Sequence, residues 1–221
     1  MGAIDPSRIA FFDMDKTLLS KSSNVLLVRY LLQHAQVPWA EKLHVIGLAA
    51  QYVLHMRSFN STIAHIASRV HGGQVASVRT LCQAWFDEVL LYTLAPRAVE
   101  QLRWHQQQGD LVWILTATVQ LATEPVAAHL QLPFVCTRIQ VYEGHYTPTI
   151  EGVSNSHNGK RHWAQHIADQ HGIALRNCIF YTDSIQDLPL LQAVGQPVPV
   201  NPDRKLRTLA LQNKWPIKMF Y

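Results

Sequence analysis

Two aspartates directly follow a short apolar run near the beginning of the 221-residue chain. The run Ile9–Phe12 is typical of a strand buried on both faces of a sheet, and Asp13 and Asp15 come after it. Because side chains at i and i+2 of an extended segment project to the same side, the two carboxylates would repel each other unless a cation or a proton lies between them. The sequence therefore indicates a charged site at the end of this strand.

Apolar runs separated by helical patterns continue along the rest of the chain. Helices are predicted over residues 98–108 and 160–171, and Gly109 and Gly172 follow them in the position that often ends a helix. This alternation of strands and helices is typical of an α/β fold with three layers around an open, mostly parallel, Rossmann-like sheet. Besides the first strand, the expected strands are 111–115, 133–136, 178–181 and 197–200.

The alternation is interrupted between residues 21 and 94, where the sequence shows about four helical stretches and no convincing strand. The clearest breaks between these stretches are predicted at residues 57–61 and at Gly72–Gly73. We therefore expect an α/β core domain of residues 1–20 and 95–221, with an inserted helical-bundle cap domain of residues 21–94 at the carboxyl edge of the sheet. A second irregularity, residues 138–152, alternates apolar and polar side chains around Glu143–Gly144 and predicts a small hairpin. We interpret this hairpin as a peripheral appendage.

Polar side chains follow the predicted strands at the edge where open α/β sheets bind their ligands. An all-oxygen acidic cluster suits Mg²⁺, which takes few carboxylates and keeps water and phosphate oxygens as further ligands, whereas zinc would need His or Cys. We therefore expect one pocket that binds Mg²⁺ as its cofactor. The expected metal ligands are Asp13, Asp15, Asp183 and Asp187, and the groups beside them are Thr116, Thr118 and Lys160.

A divalent ion beside carboxylates and a lysine is typical of phosphoryl transfer. In this interpretation Asp13 is the nucleophile that forms an aspartyl-phosphate, and Asp15 is the general acid–base group. Thr116 and Lys160, together with the ion, neutralise the charge that builds up on the phosphoryl oxygens. Two interpretations of Thr118 remain open, a ligand of the pocket or the cap of the following helix.

Four segments in this order resemble the motifs of the haloacid dehalogenase (HAD) superfamily, namely FFDMDKTLL, WILTAT, GKRHW and YTDSIQDLPLL. The resemblance is greatest to the phosphoserine-phosphatase-like branch, in which a helical cap follows the first motif. It implies Asp13 as the phosphorylated nucleophile, Asp15 as an acid–base group whose backbone carbonyl also binds magnesium, and Asp183 as a direct metal ligand. The other residues carried over by position are Thr116 and Lys160 as phosphate contacts, and Asp187 as the acid that supports the metal shell.

The chain departs from that pattern at a position that bears on the substrate. Phosphoserine phosphatases carry a Glu nine residues after the nucleophile to receive the substrate's ammonium group, and this chain has Ser22 there. We therefore favour histidinol phosphate over phosphoserine as the substrate. In the cap, Arg57 or Arg69 could contact an anionic part of the substrate. Smaller departures are Pro148, Thr182 and Gln186, where Gly, Gly and Asn are usual.

The sequence thus predicts a Mg²⁺-dependent phosphomonoester hydrolase that acts on a small phosphorylated metabolite. Two alternatives remain open. A phosphotransferase would pass the phosphoryl group of Asp13 to an acceptor alcohol instead of water, and the motifs do not distinguish these reactions. A non-catalytic binding protein with the same fold is disfavoured, because Asp13, Asp15, Lys160 and Asp183 are all present.

Charge and composition bear on partners and location. Residues 201–221 contain five Lys or Arg and one Asp, so this segment carries the whole formal net charge of +4. A basic segment without a stripe of alternating aromatic and basic residues is typical of a solvated helix face, and we expect no nucleic-acid partner. Residues 43–56, the most apolar stretch, are too few to span a bilayer, and the three cysteines have no CxxC spacing. We expect a cytoplasmic protein without membrane contact, and leave its oligomeric state open.

Overall fold

A six-stranded sheet forms the centre of the computed structural model, which describes residues 7–33, 38–53, 59–152, 155–156 and 158–221. The strands are β1 (Ile9–Phe12), β2 (Leu111–Val119), β3 (Phe134–Tyr142), β4 (His145–Glu151), β5 (Cys178–Thr182) and β6 (Gln196–Pro199). Their order is β4-β3-β2-β1-β5-β6, and all neighbours are parallel except the antiparallel pair of β3 and β4. The predicted open, mostly parallel α/β sheet is thereby confirmed.

Helices cover both faces of this sheet. They are α1 (Ser23–Gln33), α2 (Trp39–Val53), α3 (Phe59–Ala67), α4 (Val75–Trp85), α5 (Pro96–Gln107), α6 (Gln120–Leu130), α7 (Asn158–Gln170), α8 (Leu188–Leu191) and α9 (Arg204–Gln212). Because side chains alternate along β1, Phe12 packs into a core shared with Leu102 of α5, while Phe11 packs into a core shared with Ile167 of α7. The predicted three layers are therefore confirmed. Within the described ranges, none of these helices combines the length and apolar character needed to cross a membrane.

The central strand β1 brings the predicted site residues to one edge of the sheet. It pairs in parallel with β2 on one side and β5 on the other, and Phe12 lies level with Ile114 and Tyr181. All four side chains of β1 are fully buried. Asp13 therefore emerges from the middle of the sheet, and Asp183 emerges beside it from the neighbouring strand end.

β2 and β3 are both longer than predicted. The expected strand 111–115 ends too early, because β2 continues to Val119, which pairs with Thr137 of β3 after a shift in register. The expected strand 133–136 and the first arm of the hairpin 138–152 are one continuous strand, β3, which then pairs with β4. The hairpin is peripheral as predicted, since β4 is an edge strand, but the interpretation of it as an appendage is wrong, because it extends the sheet.

The tip of this hairpin contacts the helical segment between β1 and β2. Glu143 and Gly144 form the turn with φ angles of 46° and 76°, and glycine adopts such angles without steric cost. The backbone N–H of Val75 donates to the carbonyl oxygen of Gly144 at 3.0 Å, and Gln74 forms an antiparallel bridge with His145. The hairpin thus joins the edge of the sheet to the start of α4.

The helical segment between β1 and β2 contains the four helices α1 to α4 in its described residues, and no strand of the sheet, as predicted. Its two ends are held together by backbone hydrogen bonds. Ser20 N–H donates to the carbonyl of Thr93 at 2.7 Å, and Ala95 N–H donates to the carbonyl of Leu18 at 2.8 Å. The chain therefore leaves and re-enters the α/β part at one place.

A break in the helical segment is predicted at Gly72–Gly73, and the structure confirms it. Both glycines have positive φ, and a Cβ atom at Gly73 would lie 2.8 Å from the carbonyl oxygen of Ser68. Glycine is thus required there for both conformation and space. The other predicted break, at residues 57–61, falls partly on residues 54–58, which lie outside the described residues.

A network of polar side chains connects β1, β2, β5 and α5. Arg8 donates two hydrogen bonds to the carboxylate of Asp110, at 2.9 and 3.1 Å. The buried ring of His105 lies between Asp110 Oδ2, 2.7 Å from Nδ1, and the Tyr181 hydroxyl, 2.8 Å from Nε2. Burial lowers the pKa of His105, although Asp110 opposes the shift. Because the Tyr181 carbonyl accepts the backbone N–H of Asp13 at 2.9 Å, this network supports the strand end that carries the site.

Replacing Asp110 by alanine should destabilise the fold, because it leaves the His105 ring and the Arg8 guanidinium without their shared partner. A buried charged group that loses its partner costs about 3–5 kcal/mol, and Arg8 is partly exposed, so we expect a loss of about 2–4 kcal/mol in the free energy of unfolding by urea. The control is Asp169→Ala, an exposed aspartate that accepts a bond from Gln165, with an expected change within about 0.5 kcal/mol. Equal effects of the two substitutions would contradict the role of Asp110.

Candidate active site

The predicted site residues come together in a cavity of about 660 Å³ at the carboxyl edge of the sheet. The ends of β1, β2 and β5 contribute most of its wall, and the rest comes from the first turn of α7, the helical segment, the end of β4 and residues 152 and 156. Arg57 lies outside the described residues, and the exposed Arg69 is not part of the wall. The predicted residues that line the cavity are Asp13, Asp15, Ser22, Thr116, Thr118, Lys160, Asp183 and Asp187.

Lys160 is the buried cation of this cavity. Its Nζ lies 3.0 Å from Asp13 Oδ1 and 2.7 Å from Asp187 Oδ2, and its side chain is 3% exposed. Burial lowers the pKa of a lysine, but the two carboxylates outweigh this effect and raise the pKa of Lys160. The first turn of α7 carries this lysine, where the helix dipole disfavours a cation. The two ion pairs therefore hold the charge in place.

Carboxylates outnumber cations in the buried part of the site. Burial raises the pKa of Asp13 above its usual range, while Lys160 opposes the shift and Asp187 adds to it. Burial and the neighbouring Asp13 raise the pKa of Asp183 to about 7. A further cation near Asp13 and Asp183 would lower both pKa values and stabilise the charged carboxylates.

Asp15 faces the helical segment. Its Oδ1 accepts a hydrogen bond from the backbone N–H of Ser23 at 3.0 Å, and its Oδ2 accepts one from the hydroxyl of Ser22 at 3.2 Å. Burial raises the pKa of Asp15, and the bonds from Ser23 and Ser22 oppose that shift. A carboxyl group with a raised pKa suits a general acid. Ser22, predicted as a specificity residue, thus lines the cavity and also holds Asp15.

Thr116 and Thr118 lie in the last part of β2. Thr116 Oγ1 accepts the backbone N–H of Thr118 at 3.1 Å, and the Thr116 carbonyl accepts a bond from the Asn155 amide at 3.3 Å. The residue at the N-cap of α6 is Val119, which makes no side-chain cap bond. The interpretation of Thr118 as a helix cap is therefore wrong, and its place is in the wall of the cavity.

The loop after β5 is held by residues to which the sequence motifs assign no such role. Thr182, a departure from the family pattern, donates its hydroxyl to Asp187 Oδ2 at 2.5 Å and accepts the N–H of Ser184 at 3.3 Å. Asp203 caps α9, and its Oδ2 also accepts the backbone N–H of Ile185 at 2.9 Å. An aspartate before a helix predicts the cap, but no sequence pattern reveals the second bond to a distant loop.

Three more residues of the cavity region were not predicted. The Tyr221 hydroxyl donates to the carbonyl oxygen of Lys16 at 3.0 Å, and Lys16 has a φ angle of 54° in the turn after Asp13. Asn24 and Asn60 of the helical segment line the cavity. These contacts join residues far apart in the chain or depend on helix packing, so local patterns carry no signal for them.

The donor set fits a divalent cation held by few carboxylates. Within the described ranges, no group of three or more His, Cys, Asp or Glu side chains is arranged to hold a metal ion. Two of the four expected metal-site residues, Asp15 and Asp187, have their side chains engaged by hydrogen bonds. The carboxylates of Asp13 and Asp183 remain as candidate metal ligands. Mg²⁺ commonly takes one or two carboxylates together with water and phosphate oxygens.

The chain matches a family model and is similar to known proteins in sequence and in structure. The family model described as haloacid dehalogenase-like hydrolase matches residues 10–192. Phosphoserine phosphatase SerB1 of Mycobacterium tuberculosis is 29% identical over 98% of this chain and 72% of that protein. Histidinol-phosphatase of Neisseria meningitidis serogroup C is 25% identical over 96% of this chain and 98% of that protein. A solved structure of a protein of unknown function from Bordetella pertussis Tohama I has a TM-score of 0.85 at 26% identity, covering 98% and 100% of the two chains.

The family match spans the part of the chain that carries the site. Residues 10–192 include both aspartates after β1, Thr116, Lys160 and the two aspartates after β5. The resemblance seen in the four motifs is therefore confirmed over most of the chain. The protein belongs to the haloacid dehalogenase-like hydrolase family.

Proposed function

We propose that the protein is a Mg²⁺-dependent phosphomonoester hydrolase that acts on a small phosphorylated metabolite. The observation that carries this proposal is the buried cluster at the end of β1, where Lys160 contacts Asp13 and the pKa of Asp183 is raised to about 7. Such a cluster offers a nucleophile, a phosphate-binding cation and a place for a second cation. Relatives named phosphoserine phosphatase and histidinol-phosphatase support the same class of reaction.

In the first step of the proposed reaction, an oxygen of Asp13 attacks the phosphorus atom. A bond forms between this oxygen and phosphorus, the bond to the ester oxygen breaks, and an aspartyl-phosphate results. Asp15 gives a proton to the departing ester oxygen, and the raised pKa of Asp15 favours the protonated form that this needs. Lys160 and the Thr116 hydroxyl stabilise the negative charge on the other phosphoryl oxygens.

In the second step, water releases the phosphate. Asp15, now deprotonated, takes a proton from the attacking water, a bond forms between the water oxygen and phosphorus, and the bond between phosphorus and the Asp13 oxygen breaks. The carboxylates of Asp13 and Asp183 and the carbonyl of Asp15 would hold Mg²⁺, whose charge offsets that of the phosphoryl group when it is bound. The same cation would also lower the pKa of Asp183, which burial and the neighbouring Asp13 raise.

Asp187 and Thr182 have a positioning role in this proposal. Oδ2 of Asp187 accepts bonds from both Lys160 Nζ, at 2.7 Å, and Thr182 Oγ1, at 2.5 Å. Hydrogen bonds to a charged carboxylate are stronger than neutral ones, so Thr182 fixes the orientation of Asp187. Asp187 in turn fixes the lysine that contacts the nucleophile.

We infer a substrate of the phosphoserine or histidinol-phosphate kind. The Ser22 hydroxyl donates to Asp15, so the residue at this position supports the acid–base group and supplies no negative charge for a substrate ammonium group. Because histidinol phosphate carries an ammonium group just as phosphoserine does, Ser22 removes one way of binding that group and does not choose between the two substrates. One relative is named for each activity, a phosphoserine phosphatase and a histidinol-phosphatase.

We further propose that residues 21–94 form a cap domain over a core domain of residues 1–20 and 95–221. Support comes from the backbone bonds that join the two ends of the helical segment. We also propose a cytoplasmic location, because Cys82, Cys136 and Cys178 are unpaired and buried, as is usual in a reducing compartment.

Replacing Asp13 by asparagine should abolish hydrolysis, because the amide cannot accept the phosphoryl group. We expect kcat with para-nitrophenyl phosphate to fall by more than about 10³-fold. The control is Asp169→Asn on the exposed face of α7, which should leave kcat unchanged. Residual activity of Asp13→Asn within about ten-fold of wild type would contradict the proposed nucleophile.

Removal of divalent cations should also stop the reaction. After treatment with EDTA and its removal by gel filtration, phosphate release from the same ester should disappear and return on addition of MgCl₂. The physical reason is that removal of the ion takes away positive charge beside carboxylates that Lys160 and Lys16 only partly offset. Full activity in excess EDTA, with an unchanged unfolding temperature, would argue against the metal.

Replacing Thr182 by valine tests the positioning role, because valine has the same shape without the hydroxyl. Loss of a hydrogen bond to a charged group costs about 1.5–3 kcal/mol, so we expect kcat to fall roughly 10- to 100-fold. KM for the ester should change little. The matched control is Thr208→Val, an exposed threonine of α9. A kcat within about two-fold of wild type would remove Thr182 from the mechanism.

A further inference from the structure

The described residues that the helical segment contributes to the cavity wall carry no charge. The six charged side chains that line the cavity follow strands of the sheet or begin α7. The lining residues from the helical segment are instead neutral and polar. They are Ser22, Asn24 and Asn60. The alcohol part of a phosphate ester would therefore meet neutral side chains that form hydrogen bonds.

Two of these three side chains have partners within the protein. The Ser22 hydroxyl donates to Asp15 at 3.2 Å, and the Asn60 amide donates to the Ala117 carbonyl at 3.0 Å. Asn24 differs, because its side chain is 9% exposed and its Oδ1 has no hydrogen-bond partner within the described part of the chain. Buried acceptors without a donor are costly and rare in folded proteins. The buried acceptor of Asn24 therefore lacks the donor that it needs, and a ligand in the cavity that Asn24 lines could supply one.

The position of Asn24 is fixed next to the acid–base group. The N–H of Ser23 and the hydroxyl of Ser22 both donate hydrogen bonds to the carboxylate of Asp15. The two residues before Asn24 are therefore held against Asp15. Asn24 follows in the first turn of α1, with its side chain in the cavity wall. The alcohol whose oxygen takes the proton from Asp15 would therefore lie beside Asn24.

We propose that Asn24 determines substrate specificity by accepting a hydrogen bond from an O–H or N–H group on the alcohol part of the substrate. This proposal rests on the proposed phosphatase function and deepens it. The substrates are then phosphate monoesters of alcohols that carry a second hydroxyl or an amine close to the ester. Simple alkyl phosphates lack this donor and would bind through the phosphate group alone.

Two substitutions of similar size test the proposal. Asn24→Leu removes the acceptor, whereas Asn24→Asp keeps it and adds a negative charge. We would measure kcat/KM with glycerol 1-phosphate as the hydroxyl-bearing ester, phosphoserine and histidinol phosphate as the amine-bearing esters, and n-propyl phosphate as the ester without a donor. Asn24→Leu should lower kcat/KM about ten-fold for the esters with a donor. Its kcat/KM for n-propyl phosphate should stay within about two-fold of the wild-type value.

Asn24→Asp should behave differently from Asn24→Leu. It should retain turnover of the esters with a donor and shift preference from the hydroxyl-bearing ester toward the amine-bearing ones, because a carboxylate attracts an ammonium group. The matched control is Asn177→Leu, an exposed asparagine just before β5 at the opposite edge of the sheet. This control should leave kcat/KM unchanged for all four esters.

The outcomes separate this proposal from the function on which it rests. If the wild-type protein hydrolyses none of these esters with Mg²⁺, the phosphatase function fails and the role of Asn24 fails with it. If the wild type is active and Asn24→Leu lowers kcat/KM equally for all esters, or for none of them, then only the role of Asn24 is overturned. If Asn24→Leu does not fold, an unchanged ratio of amine-bearing to hydroxyl-bearing turnover in Asn24→Asp overturns it instead.

Discussion

The buried ammonium group of Lys160 lies between two carboxylates, 3.0 Å from Asp13 and 2.7 Å from Asp187. Moving such a cation out of water costs several kcal/mol, and close, well-placed carboxylates can offset that cost. The three groups come from the start of a helix, the end of the central strand and the loop after β5, so their contact fixes these elements relative to one another. The same contact places a cation on the proposed nucleophile. Structure and reactivity at this edge therefore depend on one set of charges.

The two ends of the cavity are built by different parts of the chain. The sheet supplies the phosphate end, where parallel strands bring Asp13 and Asp183 side by side. The helical segment supplies neutral polar groups among its described residues, and two of them hold Asp15. In the proposed reaction the phosphate and the alcohol would thus be recognised by different parts of the chain, and Asp15, the proposed acid–base group, would lie between them. Substitutions in the helical segment away from Ser22 and Ser23 would then alter substrate preference without disturbing the charged cluster.

Local sequence was sufficient where structure depends on local chemistry. An apolar run that ends in an acid, as at Ile9–Phe12 and Asp13, specifies a buried strand and the polar group at its end, and parallel pairing then collects such groups at one edge. Local sequence was insufficient where strand register or tertiary packing determines the structure. The same alternation of residues fits a separate hairpin or a long β3, and the bonds made by Thr182 depend on the course of the following loop. The unpartnered acceptor of Asn24 becomes visible only when α1 is packed.

The central claim is that Asp13 carries the phosphoryl group during turnover, with Lys160 beside it. The most direct measurement is rapid acid quenching of the wild-type protein during turnover of a radiolabelled phosphate ester, followed by peptide mapping. We predict a covalent label on the peptide that contains Asp13, released by hydroxylamine as an acyl phosphate should be. A label on another residue, or steady hydrolysis with no protein-bound label at any quench time, would contradict the claim.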